Sequence, residues 1–433
     1  MNAQSNTKNE LNAMGITFLA GSGALEELPR ELLGRGVRRV FLLADENTHA
    51  AAGKRVEELL KKASIKASRY VFSAPHLEPN EGAVGLAFMH FDPSADAVVG
   101  VGSGVINDIS KIVAHASGKP YIIVATAPSM DGYASATSSM SVSGLKISLP
   151  SKCADVIVGD TEILRDAPMK MLLAGLGDML AKYVALCEWR LAALIVGEPF
   201  QEEVADTVRA SLQKCVENAE GLLCRDKAAT EAVFEGLALC GAAMKKAGSS
   251  RPASGEEHYL SHVWDMRGEK FGTPTALHGL QCAVGTYITV GLYEKLRRIT
   301  PDRARALAYS ENFDYAEWAD TLRAFIGKGA KSMIALEKKE GKYDKKKYAA
   351  RLDRILKCWD GILAILDGEL PSLDTLTALY ERVGLPKRMG DIGLDEELLP
   401  LSFKATKDIR DKYVLSRLCH DLGVIDEITA PNA

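Results

Sequence analysis

The chain has 433 residues, 47% of them hydrophobic and 25% charged, with 53 Lys and Arg against 57 Asp and Glu. A formal net charge of −4 provides no global positive field to attract nucleic acid or an anionic membrane surface, and no window offers the ~18 uncharged apolar residues of a spanning helix. These limits leave a globular protein, long enough for two domains, whose expected partner is a small molecule.

In chain order, residues 1–11 are polar and lack the apolar stretch of a signal peptide. The eight cysteines (Cys153, Cys187, Cys215, Cys224, Cys240, Cys282, Cys358 and Cys419) are scattered without a CxxC pair and read as reduced core residues of a cytoplasmic protein. Residues 1–165 alternate β-branched runs with helical stretches, the pattern of an α/β domain with a parallel sheet. Strands are expected at 38–45, 67–72, 95–102, 121–126 and 155–160, and their continuous apolar character suits burial on both faces. From about Asp166 the strand signals fade, and 166–433 is expected to be mainly α-helical, opening with a long helix that has Pro168 in its first turn. The lysine-rich segment 328–351 alternates with Glu and Asp, so it reads as a solvated helical hairpin before a nucleic-acid patch.

Two segments carry chemistry. After the third expected strand, GVGSGVIND places Gly100, Gly102 and Gly104 at a strand-to-helix turn. Glycines there let a backbone approach a diphosphate, and the helix N-terminus adds N–H groups and a positive dipole end. The pattern departs from GxGxxG, since Asn107 stands where the third glycine belongs, and a tight turn closing a strand is the alternative reading. Asp45 ends a strand where a carboxylate can take ribose hydroxyls, and ATAPSMDGYASATSS follows the next strand. Strand ends of such a sheet converge on one crevice.

In the second half, three of the eight histidines fall within 21 residues: His258, His262 and His278. His258 and His262, four apart, share one helix face. Asp178 lies inside the apolar GLGDMLAKY, where a carboxylate is costly to bury unless it is paired or binds a metal. Its candidate partners are Lys182, four residues on, or a divalent cation shared with two of the histidines. HYLSH lacks the glutamate of a zincin HExxH motif.

Together GSGVIND, TAPSMDGYAS, GDMLAKYVALCEW, SRPASGEEHYLSH and TALHG resemble the superfamily of iron-containing alcohol dehydrogenases, glycerol dehydrogenases and dehydroquinate synthases. Within it the chain is most similar to the sn-glycerol-1-phosphate dehydrogenases. The final ATKDIRDKYVLSRLCHDLG resembles the longer bacterial members found with arabinose genes. The resemblance implies a dehydroquinate synthase-like fold, with a Rossmann-like domain followed by a helical one, and a homodimer. It implies metal ligands at Asp178, His258 and His278 for one Ni2+ or Zn2+, and substrate contacts at Asp131, Asp178 and His262. Contacts to NAD(H) or NADP(H) fall on Asp45, on Gly102, Ser103, Gly104, Val105 and Ile106, on Thr126, Ala127, Pro128 and Ser129, and on Ser135.

The relatives differ locally. Iron-dependent alcohol dehydrogenases add a histidine ligand where this chain has Lys182, and dehydroquinate synthases use glutamate where it has Asp178. Glycerol dehydrogenases share the three-ligand set. The expected reaction is reversible reduction of dihydroxyacetone phosphate to sn-glycerol 1-phosphate; Lys146 and Lys152 are candidate contacts to the phosphate, as are helix N-termini, the alternative reading being that the two are solvated loop lysines. Glycerol dehydrogenase is the first alternative, and a non-catalytic nucleotide-binding homologue is the second.

Overall fold

The computed structural model describes residues 3–74, 76–142 and 145–430. The chain packs as two compact units, one comprising Met1–Met179 and Ala210–Ser249, the other Leu180–Arg209 and Ser250–Ala433.

The first unit contains strands β1 (Thr17–Gly21), β2 (Arg39–Asp45), β3 (Lys66–Phe72), β4 (Ala97–Gly102), β5 (Tyr121–Ala125), β6 (Thr137–Val142), β7 (Leu145–Pro150) and β8 (Val156–Asp160). Six of them form one sheet in the order β1-β8-β5-β4-β2-β3, and every pairing in it is parallel. β6 and β7 pair separately as an antiparallel hairpin. The five expected strands are present within two residues of their expected bounds, whereas β1, β6 and β7 were not expected. The inner strands β8, β5, β4 and β2 are buried on both faces, as parallel sheets require, whereas β3, expected to be buried likewise, is the edge strand and is largely exposed. Phe41, Leu43, Val98, Ile123 and Ile157 join one apolar cluster; Val40, Leu42, Val99, Ile122 and Val156 join another. The alternation follows from the period of two in a strand.

The helices that position functional side chains are α1 (Gly104–Ser117), α2 (Met169–Leu180), α3 (Lys182–Val196), α4 (Lys227–Ala247), α5 (Glu256–Phe271), α6 (His278–Leu296), α7 (Leu399–Ile409) and α8 (Leu415–Asp421). The long helix expected after Asp166 is two helices, α2 and α3, separated at Ala181. Pro168 immediately precedes α2, and its carbonyl accepts the Met171 N–H at 2.7 Å. Asp226 caps α4 by accepting the Ala229 N–H, and Gly248 ends it in the left-handed region at φ 68°, a conformation that suits glycine. In the first unit α4 lies against the sheet, where Phe234 stacks on Phe18 at 5.7 Å.

No strand forms among the described residues of the second unit. Its core gathers Leu260, Val263, Trp264, Val284, Trp318 and Leu322. The lysine-rich segment forms the helices Ala330–Glu340 and Lys345–Lys357. No described helix is long and apolar enough to cross a membrane. None of the eight cysteines is in a disulfide, but Cys224 is exposed and Cys153 and Cys358 are half-buried, so the core reading holds for the other five only.

Candidate functional site

In the first unit, parallel strands place Asp45, Gly102 and Thr126 at the carboxyl ends of β2, β4 and β5. Gly102 ends β4, and its carbonyl accepts the Thr126 N–H at 3.1 Å. Ser103 caps α1 without a side-chain hydrogen bond, so the first-turn N–H groups of Gly104, Val105 and Ile106 are left pointing beyond the helix. A Cβ on Gly102 would lie 2.6 Å from Ile106 Cβ, so the tight turn needs glycine for space. Asp45 ends β2, and its Oδ1 accepts the Thr48 N–H at 2.8 Å; the carboxylate thus also caps a helical turn.

Thr126, Ala127 and Ser129, which follow β5, are buried, and so is Ser135. The Ser135 hydroxyl is held within the fold, accepting from Lys111 Nζ at 2.9 Å and donating toward the Gly132 and Thr137 carbonyls. Lys111 is fully buried, and desolvation lowers its pKa against the pull of Asp108. The 126–131 loop rests on α2: a Cβ on Gly175 would lie 1.7 Å from the Pro128 carbonyl oxygen. One turn further along α2, the buried Asp178 accepts the Asp131 N–H through Oδ2 at 2.9 Å. Lys152 pairs with Asp155 at 3.5 Å, while the Lys146 side chain lies outside the described residues.

In the second unit, α5 and α6 pack closely because Gly285 faces the chain at Glu257; a Cβ there would lie 2.7 Å from the Glu257 carbonyl oxygen. This approach sets the His258 and His278 rings 5.1 Å apart, edge to face. Glu256 and Glu257 begin α5, where negative charge suits the positive end of the helix dipole. The donor atoms of His258, His278 and Cys282 lie within 4.8 Å of one another. His262 is half-buried, its ring nearly parallel to that of His278 at 6.3 Å.

Hydrogen bonds orient both rings. Glu257 Oε1 accepts the Gly255 N–H at 2.8 Å and lies 2.7 Å from His258 Nδ1; with Glu257 ionised, Nδ1 is the donor and Nε2 the basic nitrogen of the neutral ring. The Gln281 amide nitrogen donates to Asp265 Oδ1 and the Ala276 carbonyl, which leaves its Oε1 to accept the single Ser261 hydroxyl hydrogen at 2.6 Å. Ser261 Oγ must therefore accept from His278 Nδ1, 3.1 Å away, and His278 Nε2 also keeps a lone pair. That nitrogen lies 3.5 Å from Cys282 Sγ. An imidazole nitrogen from each ring and a thiol gathered within 4.8 Å fit a divalent cation, with Glu257 and Ser261 orienting the rings.

Behind α5 lies a buried carboxylate network. Glu188, on α3, accepts N–H groups from Glu256 and Leu415 and the Tyr293 hydroxyl. Glu256 accepts from the Thr406 hydroxyl of α7 and from the Ser416 N–H and hydroxyl of α8. Burial raises both carboxyls above the usual range, and a second carboxylate adds to this in each case, Glu257 for Glu188 and Glu188 for Glu256. Burial also raises Glu257 to about 7, against the Gly255 N–H and the ammonium groups of Lys182 and Lys412. Lys182 is buried and donates to the Ala253 carbonyl at 3.1 Å.

Sequence reading did not assign a role to Cys282 or Glu257. Both carried a signal: Cys282 is four residues after His278, on the same helix face, and Glu257 directly precedes His258.

Residues 19–168 match the family model described as iron-containing alcohol dehydrogenase. The glycerol-1-phosphate dehydrogenase (NAD(P)+) of Bacillus velezensis is 32% identical over 299 residues, 67% of this chain and 76% of the relative. The protein of the same name from Geobacillus thermodenitrificans is 27% identical over 390 residues, 89% of this chain and 87% of the relative. The crystal structure of glycerol dehydrogenase from Schizosaccharomyces pombe matches with a TM-score of 0.61 at 16% identity, covering 95% of this chain and 89% of that one. That last likeness is one of fold.

Proposed function

Since the chain belongs to the glycerol-1-phosphate dehydrogenase family, we propose that it reduces dihydroxyacetone phosphate with NADH or NADPH, giving sn-glycerol 1-phosphate, and that it runs the reverse oxidation. The observation that carries this reading is 32% identity across 76% of a relative bearing that name; the donor set of His258 and His278 supports it. Asp178 is proposed as the third ligand, and it lies in the helix whose last residue, Leu180, begins the second unit. A divalent ion held by these three residues, Ni2+ or Zn2+, supplies Lewis acidity toward the ketone when bound.

The nicotinamide supplies a hydride equivalent for C2, and the C2 oxygen takes a proton. His262, one turn beyond His258 on the same face of α5, is proposed to hold a substrate hydroxyl and deliver that proton. The Gly104–Ile106 N–H groups bind the cofactor diphosphate at the N-terminus of α1. Gly102 leaves the space, and Asp45, through the oxygen not used in its cap, takes a ribose hydroxyl. Thr126 to Ser129 border the nucleotide. Ser135, held by Lys111, shapes the loop that carries Asp131 toward the substrate. The resemblance further supports a cytoplasmic homodimer.

Relative kcat/KM on dihydroxyacetone phosphate and on unphosphorylated dihydroxyacetone tests the assignment. A preference for the phosphorylated ketone is expected. Preference for the unphosphorylated one would move the chain to the glycerol dehydrogenases, and turnover of neither would leave a nucleotide-binding homologue.

A further inference from the structure

We propose that Cys282 is a fourth protein ligand at the metal site, binding as a thiolate and biasing the site toward zinc. The inference rests on the reading above that His258 and His278 hold the ion, and it adds a donor that the sequence assigned to the core.

The geometry carries it. Cys282 is fully buried and sits one turn after His278 on α6, where i, i+4 side chains share a face. Its Sγ lies 3.5 Å from His278 Nε2, the nitrogen left with a lone pair once Ser261 takes the Nδ1 hydrogen. With a metal–nitrogen bond of ~2.0–2.1 Å and a metal–sulfur bond of ~2.3 Å, two donors ~110° apart at the ion are separated by ~3.5 Å, and five-coordination would keep a position for the ketone beside the four protein donors. The observed separation is the edge such a site requires. His258 lies within the same 4.8 Å set, so the sulfur closes a group of donors instead of standing alone.

The chemistry follows. Binding forms a metal–sulfur bond and releases the thiol proton to solvent. Thiolate among imidazole and carboxylate donors suits zinc, and disfavours magnesium and manganese, which prefer oxygen.

The test uses the full-length protein, stripped of metal by chelation and reloaded with zinc or with cobalt(II). X-ray absorption at the zinc edge is expected to show one sulfur scatterer beside nitrogen and oxygen. The cobalt form is expected to show a thiolate-to-cobalt charge-transfer band. Cys282→Ser should remove both signals and lower zinc affinity about tenfold or more relative to nickel, since even ligand-supporting residues are worth ~10–100-fold; Cys224→Ser, at an exposed thiol, should change neither. Stoichiometric zinc with only nitrogen and oxygen neighbours in the unaltered protein would overturn the role of Cys282 and leave the histidine reading standing. Failure to take up any metal would overturn both.

Discussion

Replacing Gly175 by alanine tests the packing that places Asp178 beside the 126–131 loop. An added Cβ would lie 1.7 Å from the Pro128 carbonyl oxygen and 2.9 Å from its carbonyl carbon, where ordinary contact begins near 3.4 Å. The two backbones must therefore separate by about 1.7 Å, the difference of those distances. The loop has little room to yield, because Tyr133 donates to the Ala127 carbonyl at 2.5 Å and Asp131 donates to Asp178 at 2.9 Å. On an unobstructed helix, glycine to alanine stabilises by ~1 kcal/mol, so the sign of the effect is diagnostic. Overpacking costs ~1–3 kcal/mol and occasionally more, and the contact here is with rigid backbone. We expect a net loss of ~2 kcal/mol, a fall in Tm of several degrees, and a drop in kcat/KM of ~100-fold from misplacing Asp131 against Asp178. Thermal unfolding and steady-state kinetics read both quantities. A Gly175→Ala protein more stable than the parent, with unchanged kcat/KM, would refute the packing.

Gly102→Ala would place a Cβ 2.6 Å from Ile106 Cβ; NADH binding, followed by fluorescence titration, should weaken about tenfold or more while bound metal stays stoichiometric. Glu257→Gln removes the charge that orients His258 through Nδ1, and metal affinity measured against a competing chelator should fall ~10–100-fold, about 1.4–2.8 kcal/mol; unchanged affinity would contradict the orienting role. The buried Glu188 and Glu256 carboxyls hold protons to higher pH in the folded chain than at the ordinary value of 4.5. Their contribution to stability is therefore full below that value and is lost as pH rises through about 8. Urea midpoints should fall between mildly acidic and mildly alkaline pH, and Glu188→Gln should flatten the decline; an identical slope in the variant would show that this carboxyl does not titrate with folding.

The sheet was legible where strands are continuous apolar runs, as in 38–45 and 95–102, because burial on both faces leaves no other composition open to them. β1 escaped because its five residues run into a glycine-rich turn. β6 and β7 escaped because their serines give no apolar alternation, and the pair lies outside the main sheet. The histidine cluster was visible from spacing alone. The break at Ala181 was not, since nothing in LAKYV carries the glycine or proline that usually ends a helix. Nor was the burial of Glu188 and Glu256: their partners Leu415 and Ser416 lie 227 and 160 positions away, and only the folded chain brings those donors to the carboxylates. Cys282 looked like one more buried thiol until the fold set its sulfur 3.5 Å from His278 Nε2.

NADH oxidation by the purified protein with dihydroxyacetone phosphate can be followed before and after chelation and after zinc or nickel is restored, and the configuration of the product then determined. Turnover is expected to disappear with the metal, to return with it, and to yield only sn-glycerol 1-phosphate. Formation of the 3-phosphate enantiomer, or undiminished turnover by fully metal-free protein, would contradict that expectation.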